Sequence, residues 1–429
     1  MKHALLFFLM WLLTPTVCAQ IKVVEIEDVS INIEVVQPQV ANDENRPKAR
    51  LLWLPSEYGV LAQEKTVAKQ LAKHGIESWF VDFYEAMFLS PTPSAVDKIN
   101  PVWTAHIIAL ASQNGDHSNE SIPLWVIAPN KAAQTAVRGL QPILSRSINQ
   151  IGLILINPNL YLETPLPGQV AHYWPETANI NIPTTIIQAE LSPWKLRVSE
   201  LAEQLAGAGS DVFTQLIPKV RDRFYFRPDA LAIEQEKRSK LAAQLLQTMR
   251  LQIPYLGIER TIKPLAKETV KPIKSSRNIH LSDYQGKQNL GLSLTDIEQK
   301  PFNIVNYQGR VVLVNFWASW CPPCVHEMPS MARLKNYYSN QDFEILAVNL
   351  GEESAEIKSF LKEHPVNFSV LLDPESKAVK EWQVFAYPSS YLIDKKGQIR
   401  FALFGATEWD SAEHIQVIDS LLKETYQAP

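Results

Sequence analysis

Residues 311–329 read V-V-L-V-N-F-W-A-S-W-C-P-P-C-V-H-E-M-P. Val311 to Phe316 is an apolar run broken only by Asn315, which marks a buried central strand. It stops at Trp320-Cys321-Pro322-Pro323-Cys324, and a helical stretch follows. Two cysteines two residues apart at a helix start are placed for dithiol chemistry. The helix N-terminus carries partial positive charge and unsatisfied N–H groups, both of which stabilise a thiolate. Cys321 is then the exposed nucleophile. Cys324, one turn in, is the thiol that resolves a mixed disulfide.

The flanking residues extend this reading. W-C-P-P-C-x-x-E-M-P after V-x-F-W-A-S resembles the TlpA/ResA-type periplasmic thiol-disulfide reductases, a branch of the thioredoxin superfamily. Ile345-Leu-Ala-Val-Asn-Leu-Gly351 and Tyr387-Pro388-Ser-Ser-Tyr391-Leu-Ile-Asp394 agree with it, so that the resemblance covers about residues 286 to 425. It implies a thioredoxin-like fold with a cis Tyr387–Pro388 bond facing the motif and the Tyr387 backbone free to pair with a bound peptide. Pro388 follows Cys324 by 64 positions, wider than in a plain thioredoxin, and the extra helix and strand match the insert of this branch.

Asn315, six positions before Cys321, stands where plain thioredoxins carry a buried aspartate that manages the second cysteine's proton. An amide cannot accept a full proton. Glu327, three positions after Cys324 and matched by a glutamate in the family motif, is the carboxylate expected to do so. Trp320 is expected to cover the motif and, with Pro322, Pro323 and Tyr387, to meet a client. Trp317 is expected to pack, and His326 to be exposed and incidental. The resemblance further implies disulfide-bearing client proteins and a membrane electron donor of the DsbD/CcdA kind. In the family such reductases serve cytochrome c maturation or the repair of extracytoplasmic proteins.

The proline pair carries its own inference. Pro322 and Pro323 remove two N–H donors that could solvate the Cys321 thiolate. A less stabilised thiolate disfavours the reduced form, so the couple is expected nearer thioredoxin, at about -270 mV, than the oxidant DsbA, at about -120 mV.

The 429-residue chain is too long for one typical domain. With 46% apolar and 20% charged residues it has an ordinary globular composition. A net charge of -4 gives no footing for a nucleic-acid partner. Residues 1–19 read as a targeting segment: Lys2 and His3, an apolar run from Ala4 to Leu13, a break at Thr14-Pro15, and Val17-Cys18-Ala19 before a cleavage site at Gln20. That predicts export to the periplasm. Removing Cys18 leaves Cys321 and Cys324 as the mature protein's cysteines, with no structural disulfide framework. A structural zinc site takes four ligands, more than these two and His326 offer. No metal and no cofactor is expected.

Between residues 20 and 250, strands alternate with helices, which implies a mostly parallel α/β sheet covered on both faces. Order and spacing resemble the α/β-hydrolase fold. Leu71-Ala-Lys-His-Gly-Ile-Glu-Ser-Trp-Phe-Val-Asp82 looks like its early helix–strand unit, and Leu124 to Ala136 sits where strand, elbow and helix fall. There the nucleophile pattern G-x-S-x-G reads Ala128-Pro129-Asn130-Lys131-Ala132, and an amide is no nucleophile. Ser192 occupies the triad acid's place, with Glu190 a weak substitute. No histidine lies between His172 and His280, and Val220-Arg221-Asp222-Arg223-Phe224 fills the expected stretch. The module therefore reads as an inactive scaffold, the alternative being an unconventional site at Ser56 or Lys131. Arg221-Asp222-Arg223 reads as a solvated or mutually paired loop.

From Leu251, Pro254, Pro264 and Pro272 punctuate a stretch holding Arg260, Lys263, Lys267, Lys271, Lys274 and Arg277 against Glu259 and Glu268. This predicts a basic linker, with contact to anionic lipid as its alternative use. Ile297 to Val305 is read as a lead-in strand before the central one. The expected organisation is a signal peptide (1–19), an inactive hydrolase-like module (20–250), a linker (251–285) and a thioredoxin-like domain (286–429). The expected protein is an exported α/β thiol-disulfide reductase. Its alternatives are a bifunctional protein with a live hydrolase and a disulfide-forming oxidant.

Overall fold

Apolar runs that read as strands pair into two separate eight-stranded sheets. The structure, a computed structural model, describes residues 19–39, 47–113, 121–144, 150–162, 171–260, 280–288 and 290–426. The targeting segment up to residue 18 and the linker positions 261–279 lie outside the described residues.

The first sheet contains β1 (Ala19–Ile26), β2 (Val29–Val36), β3 (Ala49–Trp53), β4 (Ile76–Val81), β5 (Leu124–Pro129), β6 (Ile151–Ile156), β7 (Thr184–Leu191) and β8 (Val212–Arg221). Its spatial order is β1-β2-β4-β3-β5-β6-β7-β8. β1 and β2 form an antiparallel hairpin, β2 runs antiparallel to β4, and β3 through β8 are mutually parallel. The parallel part needs helical crossovers, and these supply its two covering layers. Along β5, Leu124, Val126 and Ala128 enter one core with helices 101–111, 132–144 and 198–208. Trp125 and Ile127 point to the opposite core, with helices 62–72 and 232–252. Helix 62–72 stops before Gly75, whose φ of +82° is left-handed, as its role as a stop signal requires.

Three features depart from the sequence reading. The final helix of the first module runs from Ala232 to Gln252, with a 3-10 turn to Tyr255, so that helix continues into a stretch read as linker. Gln252 is why. Its buried amide accepts from Trp125 Nε1 at 2.7 Å and donates to Leu153 O at 3.0 Å and Thr185 Oγ1 at 2.8 Å, tying the helix end to three strands. Secondly, Arg221 is buried rather than solvated. Its guanidinium makes paired bonds of 2.8 and 2.7 Å to both oxygens of the buried Glu234, with Asp229 also in contact. Arg223 is the member of that cluster that pairs locally, with Asp222.

Gly152 explains the close approach at Gln252. A Cβ there would lie 2.3 Å from Gln252 Oε1 and 2.6 Å from Trp125 Nε1. Gly152→Ala should therefore break the Trp125–Gln252 bond and cost about 1–3 kcal/mol. Denaturant unfolding of the full chain measures it.

The second sheet contains β9 (Ser282–Asp283), β10 (Ser293–Asp296), β11 (Pro301–Asn303), β12 (Val311–Trp317), β13 (Phe343–Leu350), β14 (Ser369–Asp373), β15 (Ser389–Ile393) and β16 (Ile399–Phe404). The order is β11-β10-β14-β13-β12-β15-β16-β9. β12 is central, parallel to β13 and antiparallel to β15. Its Leu313 and Trp317 face one core, while Val312, Val314 and Phe316 face the other. The third departure lies here. In place of a single lead-in strand, β10 and β11 form a hairpin around Gln299, followed by a 3-10 turn over Ile304–Tyr307. Asp296 nucleates the hairpin turn by accepting from Glu298 N and Lys300 N.

Candidate active site

β12 ends at Trp317, and after three residues Cys321 caps the helix Pro322–Tyr337. Cys321 and Cys324 are joined as a disulfide with an S–S distance of 2.09 Å and a Cα–Cα distance of 5.3 Å. Cys321 keeps 6% of its surface exposed and Cys324 none, so an incoming thiol can reach only the first sulfur. Pro322 and Pro323 are the first two helical residues and are both exposed. Two of the four N–H groups that a helix start normally leaves free are therefore missing. The Val325 amide is spent on Cys321 O at 3.2 Å. The loop leading to Cys321 is held at Ser319 by Glu352, which accepts from Ser319 N and Asn349 Nδ2, each at 2.8 Å, and bonds the Ser319 hydroxyl.

Glu327 lies one turn after Cys324 on the same helix face and is fully buried. Asn315 Nδ2 donates to its Oε1 at 2.8 Å and to Ser390 Oγ at 3.0 Å. Thr407 N and Trp409 Nε1 donate to its Oε2 at 3.2 and 3.3 Å. Burial pushes the Glu327 carboxyl up from 4.5 to about 7, although all three donors pull the other way. A carboxyl half-ionised at neutral pH can both take and return a proton.

The Tyr387–Pro388 bond is cis. Tyr387 packs edge-on against Trp320, with ring centroids 5.9 Å apart, so the loop before β15 lies against the residue preceding Cys321. Trp317 is buried in the core and His326 is exposed. The structure thus gathers Trp320, Cys321, Cys324, Glu327, Tyr387 and Pro388 around one helix start. Thr407, Trp409, Ser390 and Glu352 belong to the same constellation and are absent from the sequence reading. Among them, only the lone Trp409 in a polar stretch hints at a buried role.

The stretch of the first module compared above with a nucleophile turn is a tight strand-to-helix connection. Asn130, with φ +49°, sits between β5 and helix 132–144, and its backbone N–H donates to Ile156 O. The residues around it are engaged elsewhere. Lys131 Nζ donates to Asp97 at 2.9 Å and to Pro93 O, and the Ser56 hydroxyl accepts from Tyr58 N. The Ser192 hydroxyl caps the turn at Trp194, while Glu190 bonds Lys219 N and pairs with Lys195. Among the described residues, no nucleophile–base pair is assembled at Asn130, Ser56 or Lys131. No group of three or more metal-ligating side chains occurs among them either.

A buried dithiol couple at a helix start beneath a cis-proline loop, on a central parallel strand, defines a thioredoxin-like oxidoreductase. Residues 285–402 match the AhpC/TSA family. The thiol-disulfide oxidoreductase ResA of Geobacillus thermodenitrificans is 34% identical over 126 residues, 29% of this chain and 72% of ResA. ResA of Bacillus subtilis is 32% identical over 31% of this chain and 67% of its own length. Among solved structures, StoA from Bacillus subtilis matches with a TM-score of 0.26 and 25% identity, over 30% of this chain and 94% of StoA. Through its C-terminal third, the chain belongs to the ResA family of thiol-disulfide oxidoreductases.

Proposed function

We propose that the chain is an exported reductase of protein disulfides, in which the first module binds or positions the client. The observation that carries this reading is Glu327, fully buried one turn from Cys324 and held by Asn315, Thr407 and Trp409. The Cys321 thiolate attacks a client disulfide, forming a mixed disulfide and releasing one client thiolate. Glu327 takes the proton of Cys324, whose sulfur then attacks Cys321, closing the Cys321–Cys324 disulfide and releasing the second client thiolate. The two released thiolates are protonated, and two electrons have passed to the client. A membrane thiol transporter of the DsbD/CcdA kind would return two electrons to the couple.

The loop at Tyr387-Pro388 and the exposed Pro322-Pro323 pair form the surface on which the client chain would lie. The Trp320 indole N–H is buried without a partner among the described residues. Supporting a hydrolase-like first module without a triad are its strand order and the elbow at Asn130. Residues 20–250 should take no label from a fluorophosphonate probe, and labelling there would restore the bifunctional reading.

The state of Cys321 and Cys324 in the native compartment tests the direction of electron flow. Acid quenching followed by thiol alkylation should find them mostly as dithiol, held reduced against an oxidising environment. A mostly disulfide population overturns the reductase reading in favour of an oxidant. The midpoint potential should lie below roughly -180 mV.

A further inference from the structure

The loop that carries Tyr387 and Pro388 touches the first module. Phe385, three residues before the cis proline and 3% exposed, packs with Tyr161 and Ala171 of the first module, and Tyr173, Trp194 and Phe404 border the cluster. The Arg197 guanidinium lies over the Phe385 ring at 3.9 Å from its centroid and is oriented by Glu200 at 2.5 Å.

The receiving surface is a cleft at the carboxyl ends of β6 and β7. Its lining includes Pro158, Gln188, Tyr161, Tyr173, Trp194 and Arg197. The last four of these are the residues that hold Phe385. In open α/β sheets this edge is where ligands bind. Here an aromatic side chain of the redox module packs on residues that line it. Aromatic rings beside a guanidinium are suited to receiving another aromatic ring.

We infer that Phe385 and Arg197 form a latch that makes the first module a specificity determinant of the redox site. Docked, the latch places the first module as a wall beside the client-binding loop. Cys321 is then open to small disulfides and to clients whose disulfide segment fits against both modules, and closed to bulky folded proteins in general. Phe385 and Arg197 act through the loop and are positioning residues. The inference rests on the reading that the Tyr387-Pro388 loop meets the client.

The test uses the full chain with Arg197→Ala, which leaves the redox module's own residues intact, and Phe385→Ala as a second variant. Hydrogen exchange of the peptide spanning residues 384–390 reads docking without reference to activity. Both variants should exchange there about tenfold faster. Arg197→Ala should raise kcat/KM for insulin, a non-client protein disulfide, about tenfold through KM. Its rate with oxidised glutathione and the midpoint potential of Cys321–Cys324 should stay unchanged. Unchanged exchange in both variants overturns the latch. Faster exchange with an unchanged insulin KM overturns the specificity role. Failure of the reductase reading would appear separately, as a disulfide-dominated couple in the native compartment.

Discussion

Cys321→Ser will lower protein-disulfide reduction by roughly 10³-fold or more, while Cys324→Ser will trap the client. The two sulfurs differ in burial, and that difference assigns their order. Cys321 is the only one with exposed surface, so it alone can attack a disulfide outside the molecule. A serine hydroxyl there stays protonated at neutral pH and forms no mixed disulfide. Cys324→Ser keeps the attacking thiolate and removes the resolving one, so the chain should accumulate covalently joined to its client. A non-reducing gel followed by mass spectrometry reads both outcomes, and the trapped protein identifies the client. If Cys321→Ser traps a client and Cys324→Ser does not, the assigned order is wrong.

How much of this site was legible in the sequence depends on the range over which its parts act. The strand Val311–Trp317, the dithiol and Glu327 are close in sequence, and their types and spacing carry the chemistry. The donors to Glu327 are remote. Thr407 and Trp409 sit 80 and 82 positions away and reach the carboxylate from a loop with no motif. Apart from the lone tryptophan at 409, nothing local distinguishes this stretch from a solvent-exposed loop.

The first module divides in the same way. Apolar periodicity marks its alternating strands and helices, and Asn130 lies at a strand-to-helix turn. Its polar interior was opaque. Arg221 reads as part of a solvated or mutually paired loop, because a run of charge usually is, yet Glu234, 13 positions on, draws it inside with paired hydrogen bonds. Gln252 lay among prolines and cations that read as linker, and only the sheet it touches identifies it as an anchor. Phe385 reads as one more apolar residue until Arg197 is seen over its ring.

Glu327→Gln should slow turnover about 10²-fold at neutral pH and, at the same time, stabilise the redox module above pH 7. The two effects have one origin. The carboxyl is buried, and burial raises its pKa from 4.5 to about 7 against the pull of Asn315, Thr407 and Trp409. A folded-state pKa above the unfolded value means the folded protein holds the extra proton between those limits. Stability is then fully present below about pH 4.5 and is lost as pH rises towards and through 7, by up to about 3 kcal/mol. A glutamine side chain does not ionise, so in the variant this loss should vanish from the redox module's unfolding measured between pH 5 and 8. The new amide can be received, because Asn315 can turn its own oxygen towards it. Glu64 in the first module is raised to about 7 by burial as well. The full chain should therefore retain a second pH-dependent loss that Glu327→Gln does not touch. On the rate side, the inflection near pH 7 in the resolving step should disappear in the variant, because no group of that pKa remains to take the Cys324 proton. A purely structural Glu327 would give the stability change without moving the pH–rate profile. Disappearance of both the stability loss and the rate inflection is the expected result. It would mean the module gives up stability at neutral pH to keep a proton acceptor beside its buried thiol.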